Sequence, residues 1–139
     1  MPRKDPKRSS PSAKIPNDWK QRCGRAGEAQ AGEFLRGKGF QILEQNYRTR
    51  FGEIDLIAQL SQVVYFIEVK TRSAGDFGDP LMAITPKKIQ HLQKAAWIYL
   101  LENPDILKNF NCEFAAIAVR PYETHEAIEM VSILPKTRF

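Results

Sequence analysis

The chain has 139 residues and a mass of 15.9 kDa, with 42% hydrophobic and 27% charged residues, enough for one ordinary core and too little for two. No apolar run approaches the roughly 18 to 20 residues that span a bilayer, and the basic, Pro-rich N-terminus lacks the apolar stretch of a secretory signal, so no membrane partner and a cytoplasmic location are expected. The net charge of +5 lies wholly at one end: residues 1–22 hold seven Lys and Arg against Asp5 and Asp18, while residues 23–139 hold 14 basic and 14 acidic groups.

A tail of that composition buries too little apolar surface to order itself, so residues 1–22 are expected to be a flexible basic extension and residues 23–139 the folded domain. The tail can scan a polyanion by counterion release, or act only as a solubilising extension. Trp19 to Lys38 reads as a helix with a partial apolar stripe of Ala26, Ala29, Phe34 and Leu35, ended by Gly37 and Gly39. Phe40 to Arg48 reads as a first strand and Thr49 to Gly52 as a turn. The pattern then becomes strongly β, through Ile54, Leu56 and Ile57 and, after a polar break, Val63 to Lys70. That last run is almost continuously apolar, as in a strand covered on both faces.

Residues 73 to 84 form a loop by their Gly and Pro content, and Thr85 as N-cap with Pro86 in the first turn opens a second helix. Its stripe is Ile89, Leu92, Ala96, Tyr99 and Leu100, and it stops at Asn103-Pro104. Phe114 to Val119 and Ala127 to Ile133 are two further strands with Pro121 to Glu126 between them. The order αβββαββ predicts an α/β fold, a mixed sheet flanked by helices. Cys23 and Cys112 make no CxxC pair and read as buried thiols in a reducing compartment.

Charges interrupt the hairpin where burial should exclude them. Glu68 and Lys70 emerge on one face of their strand, and an antiparallel neighbour can bring Asp55 beside them. Two carboxylates are hard oxygen ligands suited to Mg²⁺ or Mn²⁺, and an ammonium can position water or offset charge on a phosphate, which is equipment for phosphodiester hydrolysis. Glycosidase chemistry also uses two carboxylates but has no use for Lys70 between the same strands. The competing reading of the same spacing is an internal ion pair of Lys70 with Glu68 or Asp55. Arg48, Arg50 and Arg72 flank the acids, and Lys87 and Lys88 open the second helix; all five are candidate phosphate contacts or else an exposed basic rim. His91 reads as a surface residue, His125 as a turn residue, and Trp97, Tyr99 and Phe110 as packing aromatics rather than base-stacking platforms.

Gly52-Glu53-Ile54-Asp55-Leu56-Ile57 followed by Phe66-Ile67-Glu68-Val69-Lys70-Thr71-Arg72 resembles the PD-(D/E)xK nuclease superfamily and closely resembles the YraN-like bacterial proteins, an uncharacterised family with an endonuclease-like fold. The resemblance runs from about Gly24 to Ile133 and takes in Gly27-Glu28, Asn46 to Arg50, Phe77-Gly78, Pro80, Thr85 with Lys88, and Ala95-Ala96 with Tyr99-Leu100. It implies a restriction-endonuclease-like core in which Asp55, Glu68 and the Val69 backbone carbonyl bind Mg²⁺ or Mn²⁺ and Lys70 serves the attacking water. Glu28 matches an acidic position that can complete such a site. Ile54 stands where the superfamily name has proline, a form the YraN-like proteins share. Family members often carry Arg-Phe-Asp-Val in the fourth strand, whereas Phe114 is followed here by Ala115-Ala116. The expected activity is metal-dependent hydrolysis of DNA, on branched or processed intermediates. A non-catalytic nucleic-acid-binding or DNA-processing partner of the same fold is the alternative, and a homodimer is compatible with either.

Overall fold

A computed structural model describes residues 15–71, 84–120 and 128–133, with side chains from Gly24 onward. Almost all of the expected 73–84 loop, Arg72, the Pro121–Glu126 segment with His125, and the first fourteen residues of the basic tail lie outside the described residues. Helix α1 (Ile15–Gly37) leads into β1 (Gln41–Thr49), β2 (Gly52–Leu60) and β3 (Val63–Thr71); α2 (Pro86–Glu102) and α3 (Pro104–Asn109) follow, then β4 (Asn111–Val119) and β5 (Ile128–Ser132). The expected order therefore holds with one addition, the six-residue α3, which Pro104 starts directly after α2. The α1 helix begins at Ile15, four residues before the expected Trp19.

The sheet order is β1-β2-β3-β4-β5, antiparallel throughout except for the parallel β3–β4 pair. A parallel pair needs a crossover, and α2 with α3 lies within it. This is the α/β mixed sheet with flanking helices that a restriction-endonuclease-like fold requires.

Helices cover both faces, which explains the continuous apolar run in β3. Val64 and Phe66 point to a core shared with Ile54, Ile57, Leu92, Ala95, Ala96, Tyr99, Leu100 and Phe114. Ile67 and Val69 alternate to the other side, among Ala31, Leu35, Leu56, Ala58, Ala115 and Ile117. Phe66 stacks on Phe114 at 5.5 Å between ring centres and meets Tyr99 edge-on at 5.9 Å, and burying each such side chain contributes about 2–3 kcal/mol. Cys112 is buried, as expected of a structural thiol.

The stripe of α1 differs from expectation. Leu35 is buried and Phe34 packs beside it, as expected, but Ala26 and Ala29 are exposed, and Gly27, Ala31 and Gly32 face the sheet instead. The reason is close approach: a Cβ on Gly27 would run into the Thr71 hydroxyl at the end of β3. Gly39, at φ 94°, stops the helix; its N–H bonds the Arg36 carbonyl at 3.0 Å and the Phe40 N–H bonds that of Leu35 at 3.0 Å. At the start of α2, Thr85 accepts the Lys88 N–H at 3.1 Å, the cap its sequence announces.

Candidate active site

The β2–β3 ladder runs from Leu60↔Val63 to Leu56↔Ile67 and stops there. The next facing pair would be Asp55 with Glu68. Instead of continuing the ladder, Asp55 turns its carboxylate toward β3 and accepts the Val69 N–H through Oδ2 at 2.8 Å. Meanwhile β3 stays paired with β4 as far as Thr71↔Val119, so Glu68 and Lys70 are held firmly from one side while the other opens. The strands part where the charges begin, because an ionised side chain at a continuous, doubly covered pair would be stripped of water without compensation.

Around that gap Lys70 Nζ lies 3.6 Å from Glu68 Oε2, and Lys88 Nζ, from the first turn of α2, lies 3.9 Å from the same oxygen. Both distances exceed ordinary hydrogen-bond length. The ion pair that the spacing allowed is thus present for Glu68, but loosely and with two lysines. Asp55 differs: its carboxyl is pushed up to about 8, first by burial and then by Glu68, against the pull of the Val69 N–H, with Glu28 and Glu53 adding to the rise. The strongest charges acting on the most buried acid are therefore other acids.

Glu28 is brought in from α1. Burial raises its pKa most, Asn46 lowers it by hydrogen bonding, and Glu53 and Glu68 raise it again. Asn46, with its amide nitrogen turned toward the acids, donates to Glu28 Oε1 at 3.0 Å and Glu53 Oε2 at 2.8 Å. It adopts φ 52° within β1, a left-handed conformation that asparagine tolerates better than most residues. The sequence does not mark Asn46 and Glu53 as site residues. The signal was a polar pair inside motifs already recognised, but the hydrogen bonds that join them to Glu28 span three elements.

The remaining expectations divide. Both lysines are exposed, and Lys88 reaches Glu68. Arg48 is largely exposed and 3.9 Å from Glu53 Oε1. Arg50 lies over the Phe51 ring at 5.1 Å, on the hairpin side of α2. His91 is exposed and Tyr99 buried, as expected, and Phe110 packs at the core edge. Trp97 is not a core aromatic: it is 40% exposed on the outer side of α2. Ala115, where an acid was expected by analogy, faces Ile67 in the apolar cluster under α1, so the substitution leaves the Asp55–Glu68–Lys70 group unaltered.

Among the described residues, no three His, Cys, Asp or Glu side chains gather closely enough to cage a metal by themselves. Mg²⁺ does not need such a cage, since it keeps several waters and uses one or two carboxylates. Asp55 and Glu68 are hard oxygen donors, and the burial and neighbouring acids that push Asp55 up to about 8 are what a divalent cation relieves. The donor set fits Mg²⁺ or Mn²⁺.

The model of the uncharacterised protein family UPF0102, the YraN-like family, matches residues 27–119, which run from the C-terminal half of α1 to the end of β4. The chain belongs to this family. Relatives called UPF0102 protein include one from Syntrophomonas wolfei, 43% identical over 93 residues, covering 67% of this chain and 81% of the relative. Another, from Hahella chejuensis, is 47% identical over 94 residues, covering 68% and 74%. A third, from Pseudothermotoga lettingae, is 37% identical over 113 residues, covering 81% and 99%. The matched span of this UPF0102 protein includes Glu28, Asn46, Glu53, Asp55, Glu68, Lys70 and Lys88 and excludes the basic tail. No helix among the described residues is long and apolar enough to cross a membrane.

Proposed function

We propose that this protein is a metal-dependent nuclease that hydrolyses DNA phosphodiester bonds, on branched or otherwise processed intermediates. The observation that carries the reading is the parting of β2 and β3 at Asp55, which leaves a half-buried carboxylate crowded by acids and opposite Glu68 and Lys70. Asp55, Glu68 and the Val69 carbonyl would hold Mg²⁺ or Mn²⁺. When bound, the ion supplies Lewis acidity toward the phosphate. Lys70 orients the attacking water and Lys88 offsets charge on the phosphate oxygens. Glu28, tethered by Asn46, completes the acidic rim.

Purified protein with Mg²⁺ or Mn²⁺ should cut at least one of linear, nicked and four-way DNA, and Asp55→Asn and Lys70→Ala should each abolish the cuts. Cutting that survives both changes would place the chemistry elsewhere. One observation favours a second reading, a DNA-binding module without turnover: Glu68 already has two lysine partners. That reading expects DNA binding that weakens steeply with salt and no heat of Mg²⁺ binding that Glu68→Gln removes in titration calorimetry.

A further inference from the structure

An open groove of about 710 Å³ runs between the β1–β2 turn and the outer side of α2, lined by Arg50, Phe51, Gln93, Lys94, Trp97 and Leu101 among others. Phe51 is flanked by two cations, the Arg50 guanidinium at 5.1 Å and the Lys94 ammonium at 5.4 Å from its ring centre. Trp97 and Leu101 are the large hydrophobic residues that the described surface exposes, 40% and 57%. No lining residue is acidic.

We propose that this groove holds an unpaired nucleobase of the DNA, stacked against Trp97, with its phosphate between Arg50 and Lys94, which the Phe51 ring holds in place, and its polar edge met by the Gln93 amide. The assignment rests on the DNA chemistry proposed for Asp55 and deepens it by naming the substrate: DNA with a single-stranded segment next to the scissile bond. Three features select this occupant. Aromatic rings beside cations, with amides at the rim, match the base, phosphate and base edge of a single strand. A second copy of this chain is a poor fit, because a two-fold contact would set Arg50 and Lys94 against their own images with no acid in the lining to receive them. The spacing also agrees. Asp55 is four residues beyond Phe51, about 13 Å of extended chain, and Trp97 nine helical residues beyond Lys88, again about 13 Å. Either path spans about four stacked nucleotides.

The test uses the full chain in EDTA, so that cutting is blocked, with fluorescence anisotropy of a short oligothymidylate and of a blunt duplex of equal length. Trp97→Ala should weaken oligothymidylate binding about tenfold and change duplex binding by less than about twofold. Trp97→Phe, which keeps a stacking ring, should retain most of the affinity. Equal affinities in wild type and Trp97→Ala, or an equal loss on both DNAs, would overturn the proposal. So would a wild-type dimer that Trp97→Ala splits without altering oligothymidylate binding, which would make the groove a self-association face. Circular dichroism and melting of each variant exclude unfolding as the cause of a loss. Cutting of nicked and four-way DNA with Mg²⁺, and its loss in Lys70→Ala, report on the Asp55 site separately. Cutting without Trp97-dependent binding removes the groove alone. Trp97-dependent binding without cutting supports the groove and removes the nuclease reading.

Discussion

Replacing Asp55 by Asn should make the metal-free protein more stable, by an amount that grows with pH. The Asp55 carboxyl is pushed up to about 8 in the folded chain, mainly by burial and then by Glu68, from an ordinary value of 3.8. Between those values the folded state binds more protons than the unfolded one. Stability therefore falls as pH rises, by up to about 1.4 kcal/mol per unit; the penalty is absent below about pH 4 and complete above about pH 8. A rise from 3.8 to about 8 sets a ceiling of about 4 kcal/mol at pH 7 and roughly 5–6 kcal/mol well above pH 8. Asparagine keeps an oxygen for the Val69 N–H and carries no charge, so it preserves the hydrogen bond and removes the penalty. Because relaxation and water entry soften buried charge effects, about half the ceiling is expected, roughly 2–3 kcal/mol at pH 8 and under about 1 kcal/mol at pH 5. Urea denaturation of wild type and Asp55→Asn in EDTA at intervals from pH 5 to pH 8 reads this directly. Parallel stability curves across that range, or a variant less stable than wild type at pH 8, would show that the carboxylate is not crowded by its neighbours. The same titration with Mg²⁺ should restore wild-type stability at pH 8, by about 2.7 kcal/mol at one hundred times the dissociation constant, and leave the variant unmoved.

Two further changes test the scaffold that presents the site. Gly27→Ala sets a Cβ against Thr71 and should cost about 1–3 kcal/mol, seen as a lower urea midpoint, with Thr71→Ala restoring part of the loss in the double variant; an unaffected midpoint would mean that α1 does not press on the end of β3. Thr85→Ala removes the hydroxyl that accepts the Lys88 N–H and should lower stability by about 1 kcal/mol, while Thr85→Ser leaves it nearly unchanged. If serine and alanine behaved alike, the cap would carry no energy.

Much of the architecture was legible in the chain because it is local. Apolar, β-branched runs mark β2 and β3, Thr85-Pro86 starts α2, and the separation of Asp55 from Glu68 and Lys70 across a short hairpin puts them at one end of two neighbouring strands. These depend on residues close in sequence, whose geometry a strand or a turn dictates almost alone. The alanine part of the α1 stripe, Ala26 and Ala29, is not legible for the opposite reason: small residues face the sheet there because a helix approaches a strand end, and an alanine pattern says nothing about how close that approach is.

Tertiary structure alone decided what the charged group became. The end of β2–β3 pairing at Leu56 turned Asp55 onto the Val69 N–H; the packing of α1 and α2 on opposite faces of the sheet delivered Glu28 and Lys88 to the same gap; and the crossing of α2 over the β1–β2 turn left Trp97 in a groove with Arg50 and Phe51. Each is a meeting of elements far apart in the chain. Such meetings are selected by the burial of two cores at once, and residue spacing carries no record of them.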